Sequence, residues 1–310
     1  MNEWRLQRLR RHLVAAGLDA VWVGNAQNRR YLSGFSGSAG LLLLTADTQQ
    51  LFTDFRYQEQ AAAEAPLYEI CLYKGVAAKA LAEAIGSKGI RRLGFESKHC
   101  TVASYRELQA LLPAECELID TELESLRFVK DEEELKAIRE AVRIADAAFT
   151  HILSYLRPGL EERQVAAELE QRMRCLGSER PAFDTIVASG IRGALPHGVA
   201  SEKKLAVGDW VTMDFGAVYR GYHSDITRTV CLGPATEQQK AAYALVLAAQ
   251  KAGVAAIRPG KLGCEVDAVS RDILTKAGYG EYFGHGLGHS LGLAIHEEPR
   301  LSSLNTQQVL

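Results

Sequence analysis

From residue 1 to about residue 120 the hydrophobic positions change period repeatedly, passing from helical spacing to short unbroken runs and back. Residues 4–16 carry one apolar helical stripe closed by Gly17, and the apolar run Ala20–Val23 that follows predicts a buried strand. A glycine- and serine-rich segment, SGFSGSAG at residues 33–40, precedes strand-like runs at 41–44 and 50–53 and a helical stretch at 57–65. Helices at 77–85 and 104–112 then alternate with short strands at 93–96 and 116–120. This is the pattern of a compact α/β domain. SGFSGSAG lacks the order G-x-x-x-x-G-K-[ST] of a phosphate loop, so it predicts a turn rather than a nucleotide site.

The charged run at residues 130–134 opens a long helix and marks a domain boundary, giving expected domains of 1–125 and 126–310. Leu135, Ile138, Val142, Ala145, Phe149, Ile152 and Leu156 recur in alternating steps of three and four, which predicts one buried face. Arg157-Pro158-Gly159 stops this helix, because proline cannot continue the hydrogen-bond ladder, and a second helix at 161–176 closes at Gly177. The pattern then returns. Thr236 with Gln239 forms a capping-box start, Arg258-Pro259-Gly260 stops the long helix, and a shorter one closes at Gly278, the stop and the closing glycine each 101 residues after their counterparts. Two copies cannot form a solenoid, so the second domain is expected to be an internal duplication of two helix-helix-sheet halves facing each other, with a ligand between them.

Composition narrows the function. The 310 residues are 47% hydrophobic and 24% charged, and 36 Lys and Arg against 38 Asp and Glu leave a net charge of −2. Such a balance supplies no field for nucleic acid or an anionic membrane, so the expected partner is a small molecule. No run approaches the 18 apolar residues of a membrane span, and the basic start (MNEWRLQRLRRHL) is followed by an apolar stretch cut short by Asp19, unlike a signal peptide. Six widely spaced cysteines without a C-x-x-C pair predict reduced core thiols in a cytoplasmic protein.

After each half comes a segment rich in chemistry. Residues 209–230, DWVTMDFGAVYRGYHSDITRTV, predict a hairpin turning at Tyr219-Arg220 or Arg220-Gly221. Asp214 then faces either Asp225 or Thr227, and Asp225 shares its face in both registers. Like charges on one face of a strand pair repel, so a shared proton, the nearby Arg228 or a divalent cation must offset them. After the second half comes YFGHGLGHSLGLAIHEEP (residues 282–299), which places His285, His289 and His296 within an apolar, glycine-rich stretch. One histidine there would be an ordinary hydrogen-bonded core residue. Three of the chain's eight histidines in so short a segment point to metal or acid–base chemistry, and a fourth, His197 in LPHG, precedes the hairpin.

The ordered set LPHG, MDFGAVYRGYHSDITRT and GHGLGHSLGLAIHEEP, with Asp214 and Asp225 eleven apart and His289 and His296 seven apart, resembles the pita-bread metallopeptidases: aminopeptidase P, Xaa-Pro dipeptidase (prolidase) and methionine aminopeptidase. The resemblance spans essentially the whole chain. It implies a creatinase/prolidase-like amino-terminal α/β domain followed by a duplicated α+β pita-bread catalytic domain. The methionine aminopeptidase branch usually lacks such a leading domain, and creatinase-type C–N hydrolases need no paired aspartates. The implied activity is hydrolysis of the amino-terminal Xaa-Pro bond of dipeptides or short peptides by water activated on two divalent metal ions, manganese foremost, with cobalt or zinc as alternatives. Asp214 and His289 would each bind one metal and Asp225 would bridge two. His197 and His296 would line the substrate site, with His285 close by. Relatives are commonly homodimers.

The same resemblance implies two glutamate ligands on strands past the histidine cluster, one of them also shuttling a proton. The sequence ends at Leu310 before those positions, and Glu297 and Glu298, directly after His296, do not match them. The expectation is therefore a catalytic domain lacking its closing strands, with metal absent or partial in these 310 residues. The alternatives are a metal-free binding protein on the same fold and a creatinase-type C–N hydrolase.

Overall fold

A computed structural model describes residues 3–310; Met1 and Asn2, at the start of the basic segment, lie outside it. The chain divides into two compact units, one ending at Val129 and one running from Lys130 to Leu310.

The first unit contains α1 (Glu3–Ala16), β1 (Ala20–Val23), α2 (Ala26–Ser33), β2 (Leu41–Thr45), β3 (Gln49–Thr53), α3 (Gln58–Glu64), β4 (Glu69–Leu72), α4 (Ala77–Ser87), β5 (Arg92–Phe95), α5 (Val102–Leu111) and β6 (Glu117–Asp120). One six-stranded sheet in the order β4-β3-β2-β1-β5-β6 joins them. β1 pairs antiparallel with β2 and parallel with β5, so it lies mid-sheet, and all four of its residues are buried. Leu81 and Ile85 of α4 and Leu108 of α5 pack over Trp22, Leu43 and Leu93, while Leu6, Leu9 and Leu13 form the buried stripe of α1. The SGFSGSAG segment wraps around a buried arginine: Arg29 donates to the carbonyls of Gly40, at 2.6 Å, and Gly37. It presents oxygens to a cation, the opposite polarity to a phosphate cradle.

The second unit opens with α6 (Glu132–Tyr155) and α7 (Glu162–Cys175), followed by β7 (Ile186–Ser189), β8 (Trp210–Phe215), β9 (Val218–Tyr219), β10 (Tyr222–His223) and β11 (Ile226–Cys231). α8 (Glu237–Ala256), α9 (Gly263–Lys276), β12 (Gly288–Ser290) and β13 (Glu297–Leu301) complete it. The duplication is structural. α7 and α9 begin and end 101 residues apart, and Gly159 donates to the Leu205 carbonyl as Gly260 donates to that of Leu310. In the first half, α6 and α7 cover the sheet β11-β8-β7, with Phe215 fully buried and stacked on Phe149 at 6.4 Å. In the second half α8 leaves Tyr243, Val246, Leu247 and Val254 exposed, and the strands number two, β12 and β13.

Two expectations need correction. The buried stripe of α6 runs through Glu134, Ala137, Ala141, Ile144, Ala145, Ala148 and Ile152, whereas Val142 is exposed and Leu135, Ile138 and Phe149 are only partly buried. Small residues win the central positions because the strand layer approaches closely: the Ala141 carbonyl accepts a hydrogen bond from Ser224 Oγ at 3.1 Å. The cysteines are unpaired, as expected, but none is a true core residue: Cys175 is exposed and the other five are half-buried. Among the described residues no helix is long and apolar enough to cross a membrane.

Buried charge fixes the loop after β7. Glu162 is fully buried and accepts from Ser189 N and Oγ, Ser201 N and Oγ, and Arg192 Nε, at 2.7 to 3.1 Å. Burial pushes its carboxyl up, but the hydrogen bonds from Ser201 and Ser189 outweigh this and hold it below the ordinary glutamate value. A depressed folded pKa stabilises the fold above pH 4.5 and loses that contribution as pH falls through the folded value. Glu162→Gln should therefore lower the melting temperature at pH 7 and show a smaller acid-induced loss than the parent; parallel melting curves against pH would refute this.

The second prediction concerns Gly216, where a Cβ would lie 1.9 Å from the Ser224 carbonyl oxygen and 2.9 Å from Ala182 Cβ. Gly216→Ala must push the two hairpin arms apart, at a cost of about 1–3 kcal/mol. Calorimetry that finds no loss of stability would contradict the close approach.

Candidate metal centre

The hairpin between β8 and β11 turns at Arg220-Gly221, both with positive φ (49° and 79°), the signature of a two-residue type I′ turn. Of the two possible registers this selects the one in which Asp214 opposes Thr227. Asp225 follows β10 and immediately precedes β11, diagonally across from Asp214. Thr227 Oγ1 donates to Asp214 Oδ1 at 2.9 Å, and the two carboxyls lie close enough for the charge of Asp225 to act on Asp214.

Both acids are shifted upward. Burial lifts Asp214 to about 6, the charge of Asp225 adds to the shift and the Thr227 hydrogen bond opposes it. Burial also lifts Asp225, against the opposing pull of His289 and His296. This is the expected response of two carboxylates placed together with too little cation nearby. The Asp225 side chain remains 26% exposed, so the site is open to a small ligand.

The histidine cluster supplies the facing wall. His289, in β12, sets Nε2 3.5 Å from Asp225 Oδ2. Its Nδ1 lies 3.0 Å from the Ser290 carbonyl oxygen, which can only accept, so Nδ1 carries a proton and Nε2 is the ring atom turned toward the carboxylate. Nε2 can there share a proton with Asp225 or give its lone pair to a cation. The arrangement of one ring nitrogen anchored to a carbonyl and the other free is also that of histidine ligands to metals. Hard carboxylate oxygens with one imidazole fit a divalent ion on chemical grounds. The donors meet in pairs: among the described residues no three His, Cys, Asp or Glu side chains already enclose an ion-sized space.

The other expected residues divide. The His296 ring lies edge-on to His289 with centroids 4.4 Å apart, and burial, then the charge of His289, lowers its pKa. His285 is exposed, packs edge-on to Phe283, sets Nδ1 2.8 Å from the Gly286 carbonyl, and makes no hydrogen bond with the acidic pair. His197 is exposed on the loop held by Glu162, and its side chain makes no hydrogen bond among the described residues.

Several residues that position the centre carry no motif. Buried Asp267 of α9 pairs with Arg271 at 2.7 Å and accepts from Leu287 N, while Arg271 reaches the Phe283 and His285 carbonyls at 2.7 Å each. This clamp sets the entry to β12. His223 N donates to the Gly292 carbonyl at 2.8 Å and its Nδ1 lies 3.0 Å from the same oxygen, tying the hairpin to the loop between β12 and β13. Glu297 is buried and paired with Lys130 at 3.1 Å. Only the i,i+4 spacing of Asp267 and Arg271 was available as a sequence signal.

Residues 136–310 match Metallopeptidase family M24, and residues 5–129 match the Creatinase/Prolidase N-terminal domain. Over 299 residues the chain is 46% identical to the uncharacterized peptidase YqhT of Bacillus subtilis, covering 96% of this chain and 85% of that one. It is 40% identical over 304 residues to the Xaa-Pro dipeptidase of Pyrococcus horikoshii, covering 97% and 85%. The solved Xaa-Pro dipeptidase from Bacillus anthracis superimposes with a TM-score of 0.95 at 46% identity, covering 98% of this chain and 86% of that chain. The acidic hairpin and the histidine cluster both lie inside the matched region, and the chain belongs to Metallopeptidase family M24, with the creatinase/prolidase amino-terminal domain and the pita-bread catalytic fold.

Proposed function

We propose that this protein hydrolyses the amino-terminal Xaa-Pro bond of dipeptides or short peptides. The observation that carries the reading is the Asp214–Asp225 pair facing Nε2 of His289 at 3.5 Å. The names of its relatives in Pyrococcus horikoshii and Bacillus anthracis supply the substrate class.

Asp214, Asp225 and His289 would hold the divalent metal. When bound, such ions polarise the scissile carbonyl and acidify water. The remaining work falls to side chains. Thr227 holds Asp214 in place through Oδ1, leaving Oδ2 for a ligand. His296, edge-on to His289, is the nearest imidazole able to bind the substrate or move a proton, with His197 on its fixed loop and exposed His285 as further substrate contacts. A proline nitrogen in a peptide has no N–H, so selection for it rests on ring shape rather than a hydrogen bond. Three finer parts of the reading follow from family resemblance alone: manganese as the metal, a homodimer as the assembly and the cytoplasm as the location.

With manganese supplied, Xaa-Pro dipeptides should be cleaved and matched Xaa-Ala dipeptides spared, and a chelator should abolish turnover. Equal cleavage of both would overturn the substrate class; no metal uptake and no turnover, persisting in a carboxy-terminally extended chain, would favour a metal-free binding protein. Asp225→Asn removes a charge without changing shape. It should cut kcat/KM by more than the roughly 10–100-fold of an outer-shell change while circular dichroism stays unaltered; wild-type turnover in this variant would eliminate the metal assignment.

A further inference from the structure

We propose that Arg180, an exposed residue outside the motifs of the site, is a positioning residue for the metal centre and acts through the ring of His223. The proposal rests on the reading of Asp214, Asp225 and His289 as metal ligands. His223 lies two residues before Asp225, and the carbonyl it holds belongs to Gly292, three residues after His289 and four before His296. One side chain therefore sets the gap between the acidic hairpin and both imidazoles.

The neighbours of the ring assign its protons. Gly292 O can only accept, and two groups of His223 reach it, backbone N at 2.8 Å and Nδ1 at 3.0 Å. Nδ1 thus carries a proton. On the other side of the ring Arg180 Nη2 stands 3.4 Å from Nε2, and a guanidinium can only donate, so Nε2 presents its lone pair. Both partners select the same tautomer. His223 is only 4% exposed, and among the described residues no other group makes a hydrogen bond with Nε2. Without Arg180 that lone pair is left unpaired in the interior, which is costly. The other tautomer satisfies nothing at Gly292: it sets a bare Nδ1 against the carbonyl oxygen, acceptor against acceptor, and the loop withdraws.

The parts around the ring are fixed. Arg180 Nη1 donates to the Pro181 carbonyl at 3.1 Å, and the Arg180 carbonyl accepts from Ser178 Oγ at 2.7 Å and Val218 N at 3.1 Å. Its backbone is thereby pinned to β9, the partner of the strand that carries His223. On the far side of Gly292 a Cβ would stand 2.7 Å from Glu297 Oε2, and Glu297 Oε1 accepts from Ala294 N at 3.0 Å. With Glu297 bracing the loop from behind, the His223 ring decides how closely it approaches the hairpin.

The test uses the full chain with nitrogen-15 in its histidines, first in the presence of a chelator. His223→Gln assigns the ring signals of residue 223. In the parent these should show a protonated Nδ1 and a bare Nε2. Arg180→Met keeps an aliphatic stem and removes the donor. It should move the His223 signals toward a mixture of tautomers and shift those of His289 and His296, while the circular dichroism melting curve changes no more than for a surface substitution. Arg180→Lys, a cation that can only donate, should keep the parent pattern. By titration calorimetry, manganese affinity should fall about tenfold in Arg180→Met, the lower end of an outer-shell change, and stay near the parent value in Arg180→Lys. Unchanged His223 signals in Arg180→Met would overturn the proposal, as would His289 and His296 signals or a manganese affinity that do not follow them. Absence of manganese uptake in the parent and in a carboxy-terminally extended chain would overturn the metal reading instead, and the metal-free spectra then decide whether Arg180 positions the histidines.

Discussion

Two carboxyl groups held together against their own repulsion are the constraint around which the catalytic unit is built. Asp214 and Asp225 are fixed by a hairpin whose turn, Arg220-Gly221, admits one register. Gly216 lets that hairpin close, because any side chain there would strike the Ser224 carbonyl. The folded chain therefore places two acids in one patch in which, among the described residues, His289 and His296 are the groups whose charge opposes theirs. The raised proton affinities of the two acids are the electrostatic record of that placement.

The duplicated architecture explains how the third donor arrives. Each half repeats helix, proline-glycine stop and helix, and each stop closes on a carbonyl of the same unit, Leu205 in the first half and Leu310 in the second. The acids belong to the segment after the first helix pair and His289 to the segment after the second. They are far apart in sequence and meet because the halves face each other. His223 fastens the hairpin to the Gly292 loop, and the Asp267–Arg271 pair aligns the chain entering β12. The halves are not equal in cover: α6 buries its small-residue stripe under the first sheet, whereas α8 leaves Tyr243, Val246, Leu247 and Val254 exposed.

Buried ions act here as positioning devices. Glu162 gathers five donors from the loop carrying His197, and Lys130 with Glu297 joins the start of α6 to β13. Burying an ion pair gains little net stability, since desolvation offsets the attraction. Removing one partner, however, leaves an uncompensated charge, so the geometry is strongly specified. Rigid placement of donors is what a metal site requires, and it accounts for charged residues at positions where hydrophobic ones would pack more simply.

Much of this was legible in the residues themselves. Local chemistry set the helix ends, since proline, glycine and capping residues act within a few positions of where they stand, and the 101-residue echo announced the duplication. The motif residues Asp214, Asp225, His289 and His296 stood out because acids and histidines rarely crowd apolar, glycine-rich sequence. The α6 stripe was misplaced because periodicity ranks residues by hydrophobicity, whereas close packing against the hairpin selected Ala137, Ala141 and Ala148 for size. Hairpin register was open between two choices until the turn conformation selected one. Contacts between residues distant in sequence, such as His289 with Asp225 or Glu162 with Ser201, were invisible for a physical reason: no local propensity encodes them. The sequence by itself determined the elements, the repeat and the reactive residues. The tertiary structure alone decided which of those residues share a patch, because proximity there comes from the packing of two halves and from buried charges that find partners only once the chain has folded.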